Sequence, residues 1–151
     1  MTPRILILTA GYGEGHNAAA RALSTAFDRI SGNGTAAVLD AFALASPKIN
    51  ALSRRLYLTV INDAPRVWSR IYGWIDHSNF VPRRLWLFRR EIRLLARLIE
   101  ETRPHAICCT YPLYAFFLEE IARQGTRLPP IYNVVTDSIS INSLWWRAGS
   151  A

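Results

Sequence analysis

One stretch of this chain is more informative about its fold than any other: Arg4-Ile-Leu-Ile-Leu-Thr-Ala-Gly-Tyr-Gly-Glu-Gly-His-Asn-Ala-Ala-Ala-Arg-Ala-Leu23. A short apolar run leads through three alternating glycines, Gly11, Gly13 and Gly15, to His16 and an alanine-rich segment. This order predicts a buried strand that turns into the N-terminus of a helix, where several backbone N–H groups have no partner within the helix. Such groups bind anionic oxygens, so the segment predicts transfer chemistry on a phosphate-bearing substrate.

The loop differs from two better-known glycine motifs. A P-loop needs Gly-Lys-Ser/Thr, and the dinucleotide fingerprint needs a glycine where His16 stands. The helix dipole disfavours a protonated histidine at this end, so we expect His16 to be a neutral proton acceptor. General-base catalysis on a hydroxyl needs that state, and the loop N–H groups can stabilise a charged oxygen. The alternative is a tight turn in which the glycines only relieve crowding and His16 caps or packs.

Strand and helix patterns alternate along the rest of the chain. Strands are predicted at Ile5–Ala10, Thr35–Asp40, Ala106–Thr110 and Ile131–Thr136, and helices at Asn17–Ile30, Pro47–Asn62, Trp68–Ile75, Arg83–Glu101 and Leu113–Arg123. The alternation predicts an α/β fold, a Rossmann-like parallel sheet flanked by helices, with ligands at the carboxyl ends of the strands. That edge collects the Gly11–His16 loop, Asp40, Thr110-Tyr111-Pro112 and Thr136-Asp137. Asp40 is interpreted as a helix cap, and Asp137 either as structural or as a group that orients His16 or the acceptor.

Composition limits the class of protein and its location. The chain has 151 residues, of which 50% are hydrophobic, enough for one domain with its own core. No apolar run approaches the ~20 residues that span a bilayer, and no signal-peptide pattern is present. The adjacent Cys108 and Cys109 have neither disulfide nor metal-ligand spacing. We therefore expect a cytoplasmic protein without a metal site.

The net charge of +7 is concentrated between Lys48 and Arg97. Such a region is typical of proteins that bind nucleic acid or an anionic membrane. No nucleic-acid-binding motif is recognisable, and Asp76 and Glu91 interrupt the basic patch, so we expect no nucleic acid partner. An anionic membrane surface is the favoured partner.

The helix predicted from Arg83 has an apolar face and a cationic face. Its core-facing stripe is formed by Leu85, Phe88, Ile92, Leu95 and Ile99. An aromatic among cations is typical of an interfacial membrane contact. The residues predicted to touch the membrane are Trp68, Arg70, Trp86, Arg89, Arg90, Arg93 and Arg97. The alternative is a solvated charged face with Trp86 stacked on arginine, and with Trp68 in the core.

Residues 6–23 resemble the N-terminal signature of the monogalactosyldiacylglycerol synthase and processive diacylglycerol glucosyltransferase family, which is similar to the lipid II-forming glycosyltransferase. The resemblance implies a two-domain GT-B enzyme. Residues 1–151 are then its N-terminal, acceptor-binding domain, and we expect this domain to be incomplete, with the C-terminal donor-binding domain absent. The implied reaction transfers a hexose from a UDP-sugar to a diacylglycerol-type membrane lipid with inversion, and needs no metal or other cofactor.

The resemblance also implies roles for particular residues. His16 is the implied base that deprotonates the acceptor hydroxyl, and Gly13 and Gly15 bring backbone amides close to the diphosphate and acceptor. Further residues predicted to bind substrate or phosphate are Gly11, Asn17, Tyr111 and Asp137. The chain departs from its relatives at Tyr111-Pro112, where they often have His-Pro, and at Asn142–Trp145.

The sequence is compatible with two other functions. The same fold can act on a polyprenyl-linked acceptor, or the domain can be a non-catalytic phosphate- or nucleotide-binding module that docks a membrane or protein partner. For the enzyme we expect peripheral attachment to the inner face of the membrane. We also expect the 151 residues alone to be inactive.

Overall fold

The structure, a computed structural model, describes residues 4–64, 66–67, 70–71, 73–74, 80–136, 141 and 143–148. Its strands are β1 (Ile5–Leu8), β2 (Ala36–Leu39), β3 (Ala106–Cys109) and β4 (Ile131–Asn133). Its helices are α1 (Glu14–Ser31), α2 (Ala41–Ala45), α3 (Pro47–Asp63), α4 (Phe80–Arg83), α5 (Arg89–Thr102), α6 (Leu113–Arg123) and α7 (Leu144–Arg147), and a 3₁₀ turn spans Leu85–Phe88.

The four strands form one parallel sheet in the order β2-β1-β3-β4. Ile5 lies opposite Ala36 on one side and Ala106 on the other, and Ile107 lies opposite Ile131. Helices flank this sheet, which confirms the predicted Rossmann-like α/β fold. Each strand ends slightly before its predicted end, so the polar residues that follow are free to build the carboxyl edge.

The core lies on both faces of the two central strands. Leu6 and Leu8 of β1 face a large cluster with α2, α5 and α6, whereas Ile7 faces a smaller cluster with Ala20 of α1. This alternation follows from the two-residue period of a strand. The predicted stripe on α5 is confirmed, because Ile92, Leu95 and Ile99 are buried and Leu85 and Phe88 pack against the same cluster.

The single helix predicted at Arg83–Glu101 is wrong, because the chain breaks its helical path between α4 and α5. A 3₁₀ turn lies there instead: Arg84 (φ −120°, ψ 18°) precedes it, and Phe88 (φ −103°, ψ 22°) is its last residue. In a 3₁₀ turn residues three apart eclipse, which directs Leu85 and Phe88 to the core and leaves Trp86 54% exposed. Apolar spacing of three residues suits either helix type, so the sequence pattern could not separate them.

Helix α1 begins at Glu14, three residues before the predicted start. Gly13 precedes it with extended backbone (φ 174°, ψ 150°), and the Glu14 carboxylate lies in the first turn, where the helix dipole favours negative charge. His16 therefore lies inside the first turn of α1. The helix predicted at Trp68–Ile75 depends on Trp68, Tyr72 and Ile75, which lie outside the described residues.

Candidate functional site

His16 lies at the carboxyl edge of the sheet, where the ends of three strands meet. Its Nδ1 is 2.7 Å from the carbonyl oxygen of Thr110, which directly follows β3. The same atom is 2.7 Å from Oγ1 of Thr136, which follows β4. The ring is thus held by two segments distant from it in sequence.

The carbonyl partner of Nδ1 favours one tautomer of the His16 ring. A carbonyl oxygen only accepts hydrogen bonds, so Nδ1 is protonated and donates to Thr110, with the Thr136 hydroxyl oxygen beside the same N–H. A neutral ring of this tautomer has its lone pair on Nε2. This is the tautomer that a general base acting through Nε2 requires. The sequence suggested Asp137 for the orienting role, and Asp137 lies outside the described residues.

A row of aromatic rings connects His16 to α3. Tyr111 meets the imidazole edge-to-face at 5.1 Å between centroids and stacks on Tyr12 at 5.8 Å. The Tyr12 hydroxyl lies 2.7 Å from Oγ of Ser53 on α3. Burial raises the pKa of both tyrosines, so both remain neutral phenols near neutral pH. Tyr111, predicted to bind substrate, therefore lies directly beside His16.

The start of the glycine loop is fixed by Asp40. The backbone N–H of Gly11 donates to Oδ2 of Asp40 at 3.0 Å, and the other carboxylate oxygen accepts from the N–H of Ala43 at 3.0 Å. Asp40 is therefore the N-cap of α2, as predicted. Because this N–H of Gly11 is engaged within the protein, Gly13 and Gly15 are the loop glycines whose surroundings matter most for a ligand.

Gly13 and Gly15 border open space. A Cβ atom built on either residue would meet no heavy atom within 4 Å. Neither glycine adopts a positive φ; among the described glycines that conformation occurs at Gly32, Gly34 and Gly125. The fold therefore does not itself require glycine at these two positions, and a substrate has room to approach their backbone.

Three further hydrogen bonds join the ends of β1 and β2 to this site. Oδ1 of Asn17, a predicted binding residue next to His16, accepts from the hydroxyl of Thr9 at 3.0 Å. Tyr114, fully buried, donates to the carbonyl oxygen of Thr9 at 2.7 Å and accepts from the N–H of Ala41 at 2.9 Å. Tyr114 was not predicted from the sequence, although a tyrosine inside an apolar helical stripe signals a buried hydroxyl that needs partners.

An apolar groove of about 520 Å³ opens beside the aromatic row, between α3 and the 3₁₀ turn. Its walls include Tyr12, Phe42, Ile49, Asn50, Trp86 and Leu87. Oδ1 of Asn50 is buried there and, among the described residues, has no hydrogen-bond partner. Next to the groove, α3 buries none of its side chains, and Leu52 and Leu56 are 61% and 57% exposed. The sequence pattern did not reveal that this face of α3 is uncovered.

The residues predicted to touch a membrane are exposed where the structure describes them. Arg70, Trp86, Arg89, Arg90, Arg93 and Arg97 all lie at the surface. Trp68 lies outside the described residues. Within the described part of the chain, no helix is long and apolar enough to cross a bilayer, and no three His, Cys, Asp or Glu side chains form a metal-binding group.

The fold and the site together define a class of protein. A parallel sheet, a glycine-containing loop after β1 and a following helix form a Rossmann-like α/β domain of the kind found as the N-terminal half of GT-B glycosyltransferases. The chain belongs to the monogalactosyldiacylglycerol (MGDG) synthase family, which matches residues 16–150. The resemblance seen in residues 6–23 is thereby confirmed.

Similar proteins carry related names. The chain is 28% identical over 143 residues to the processive diacylglycerol β-glucosyltransferases of Bacillus thuringiensis (strain Al Hakam), Bacillus cytotoxicus and Bacillus anthracis (strain A0248). Each match covers 95% of this chain, and the chain spans 36% of the length of each of these relatives. No solved structure matches the chain significantly.

Proposed function

We propose that this chain is the acceptor-binding part of a glycosyltransferase that transfers a hexose from a UDP-sugar to the hydroxyl of a diacylglycerol-type membrane lipid. The observation that carries the proposal is the position of His16, whose Nδ1 contacts the carbonyl oxygen of Thr110 and whose ring is linked through Tyr111 and Tyr12 to the apolar groove. Family membership and the diacylglycerol glucosyltransferase names of the relatives support the same reaction. The UDP-sugar site is assigned to a second domain, because the chain spans only 36% of these relatives.

The proposed reaction inverts the anomeric centre in one displacement. Nε2 of His16 takes the proton of the acceptor hydroxyl, whose oxygen forms a bond to the anomeric carbon while the bond from that carbon to UDP breaks. The Nδ1–H bond to Thr110 stabilises the imidazolium that results. Backbone amides at Gly13 and Gly15 lie next to the oxygens that carry negative charge. No metal is needed for these steps.

The groove beside Tyr12 suits the acyl chains of the acceptor. Six of its twelve lining residues are aromatic or aliphatic, and Tyr12 belongs both to its wall and to the aromatic row that ends at His16. When the acyl chains of a lipid occupy the groove, its free hydroxyl therefore lies on the side that faces the imidazole of His16. Asn17 and Tyr111 are assigned to the polar end of the same site.

Attachment to the membrane is assigned to the exposed apolar face of α3 and to the 3₁₀ turn. Leu52, Leu56, Trp86 and Leu87 are all at least half exposed, and Arg89 and Arg90 stand beside them. Apolar side chains that enter the acyl region and arginines that meet anionic headgroups give peripheral binding without a spanning helix. The proposed location is the inner face of the cytoplasmic membrane.

The double substitution Leu52→Ser/Leu56→Ser tests this surface. Each leucine that inserts contributes roughly 1.5–3 kcal/mol, so we expect affinity for vesicles to fall by about tenfold or more. Co-sedimentation with mixed phosphatidylcholine and phosphatidylglycerol vesicles measures the effect. Ile30→Ser is the matched control, because Ile30 is 82% exposed at the end of α1 and away from this surface. Equal losses in the two variants would contradict the assignment.

Gly15→Ala separates substrate binding from folding. Alanine favours a helix more than glycine does, and its methyl group meets nothing in the protein, so the free energy of unfolding should be unchanged or slightly higher. The methyl group takes space assigned to substrate, and we expect sugar transfer to fall at least about tenfold.

Gly32→Ala is expected to show the opposite behaviour. Its φ of 94° strains any residue with a Cβ, so stability falls while transfer per folded molecule is retained. Thermal unfolding and initial rates, measured on protein expressed from its complete gene, distinguish the two variants. Normal transfer by Gly15→Ala would remove the loop from the substrate site.

A further inference from the structure

The apolar groove between α3 and the 3₁₀ turn contains two hydrogen-bond acceptors that the protein does not use. Glu91 lines the groove and is only 6% exposed, so it does not belong to the basic surface in which the sequence placed it. No ion pair or hydrogen bond within the described part of the chain includes its carboxylate. The second acceptor is the unpaired Oδ1 of Asn50, which lines the same groove.

Glu91 is placed near the ring that leads toward His16. It lies in the first turn of α5, where the helix dipole stabilises negative charge. Burial, and then the negative charges of Asp40 and Glu91, raise the pKa of Tyr12, so the carboxylate of Glu91 acts on the Tyr12 hydroxyl. Two ring-to-ring contacts of 5.8 and 5.1 Å connect Tyr12 to His16. The Glu91 acceptor therefore lies toward the end of the groove that is nearer the imidazole.

The hydroxyls of Tyr12 and Ser53 have already given their protons to the protein. Ser53 donates to the carbonyl oxygen of Asn50 at 3.1 Å, since a carbonyl can only accept. A hydroxyl has a single proton, so the Tyr12 hydroxyl is the donor in its 2.7 Å contact with Oγ of Ser53. Neither hydroxyl can then donate to Glu91 or to Oδ1 of Asn50. A bound molecule that donates hydrogen bonds would satisfy both acceptors.

Plain acyl chains do not provide that donor. Hydrocarbon has no polar hydrogen and the ester groups of diacylglycerol only accept, so plain chains would cover both acceptors while they are unpaired, which is costly. An ammonium group would donate, but Arg89 and Arg90 line the same groove and repel a cation. A hydroxyl donates without carrying charge.

We propose that the preferred acceptor is a diacylglycerol with a hydroxyl on an acyl carbon close to the glycerol, a β-hydroxyacyl chain. Glu91 and Asn50 accept the hydrogen bonds of this hydroxyl and thereby determine acceptor specificity. The hydroxyl is near the glycerol because Glu91 lies near Tyr12, toward the His16 end of the groove. This inference deepens the proposed function and rests on its assignment of the acyl chains to the groove.

Two matched acceptors test this preference: dipalmitoylglycerol and its bis(β-hydroxypalmitoyl) analogue, each in mixed micelles with a UDP-sugar. Protein expressed from its complete gene should use the hydroxylated lipid with a kcat/KM that is roughly tenfold or more higher, because a hydrogen bond to a charged group replaces an unpaired one. Equal values for the two lipids would overturn the proposal.

Glu91→Met and Asn50→Leu each replace an acceptor by an apolar side chain of similar size. For a role in specificity, kcat/KM should fall roughly tenfold with the hydroxylated lipid and be retained or rise with dipalmitoylglycerol, since the plain chain no longer covers an unpaired group. A structural role would lower both values together, and that result would contradict the proposal. Glu101→Met is the control, because it removes an exposed carboxylate of the same helix outside the groove and should keep the preference.

Binding of the two lipids to His16→Ala separates this inference from the catalytic proposal. The variant lacks the proposed base but keeps the groove, and Trp86 in the groove wall makes tryptophan fluorescence a suitable readout. It should bind the hydroxylated lipid more tightly by a similar factor, and His16→Ala/Glu91→Met should lose this difference. If the unsubstituted protein transfers sugar to neither lipid, the catalytic proposal fails while the binding comparison still decides this one. Equal affinities for the two lipids would overturn it.

Discussion

His16→Ala is expected to lower the rate of sugar transfer by about 10²–10⁴-fold, the usual contribution of a positioned general base. The ring has one nitrogen committed to the carbonyl of Thr110, so the proton-accepting function rests on the other nitrogen. Alanine has no proton-accepting group, and a water molecule in the place of the ring is not held in the orientation that the imidazole has. Initial rates with a UDP-sugar and diacylglycerol in mixed micelles, on protein expressed from its complete gene, give the value.

His105→Ala is the control for this loss. His105 is exposed at the start of β3, and the hydrogen bond found for it uses its backbone N–H and the carbonyl of Arg4. Its replacement should leave transfer unchanged. Full activity of His16→Ala would exclude the catalytic role and favour the non-catalytic binding module. If the unsubstituted protein is active with a polyprenyl-linked lipid but not with diacylglycerol, and His16→Ala loses that activity, the base is kept and the acceptor changes.

The fold was predictable because local pattern and tertiary burial agree in most elements. The run Ile5–Leu8 is apolar throughout and ends at glycine, as expected for a strand covered on both faces. The buried face of α5 was predicted correctly from the spacing of Ile92, Leu95 and Ile99. Because the carboxyl ends of parallel strands share an edge, the sequence also placed Thr110, Tyr111 and Thr136 near His16.

The parts that were not predicted depend on contacts that side-chain patterns do not encode. One of the groups that hold the His16 ring is a backbone carbonyl, and every residue has one. The break at Arg84 depends on how Phe88 packs against Phe42 and Phe117 across the core. The uncovered face of α3 has leucines at helical spacing, as a core-facing helix would, and only the tertiary structure shows that Leu52 and Leu56 meet no neighbour that buries them.

Tyr114→Phe is expected to lower the free energy of unfolding by about 2–4 kcal/mol, because two buried backbone groups lose their partner. The hydroxyl accepts from the N–H of Ala41 and donates to the carbonyl oxygen of Thr9, and no water reaches a fully buried ring to replace it. The substitution keeps the ring, so packing against Phe42 and Phe117 is retained. Denaturant unfolding of the two proteins measures this difference in the free energy of unfolding, which we attribute to the lost hydrogen bonds.

The same substitution should also affect transfer, since Tyr114 joins the ends of β1 and β2 directly beneath the glycine loop. Asp40, next to Ala41, accepts a hydrogen bond from the N–H of Gly11. Loss of the Tyr114 contact to Ala41 should therefore make the start of α2 less rigid, and with it the loop that precedes His16. Tyr132→Phe on the exposed edge strand removes an equivalent hydroxyl from a ring that is 57% exposed and should change neither property. If the two variants unfold at the same denaturant concentration, the Tyr114 hydroxyl does not support this edge of the sheet.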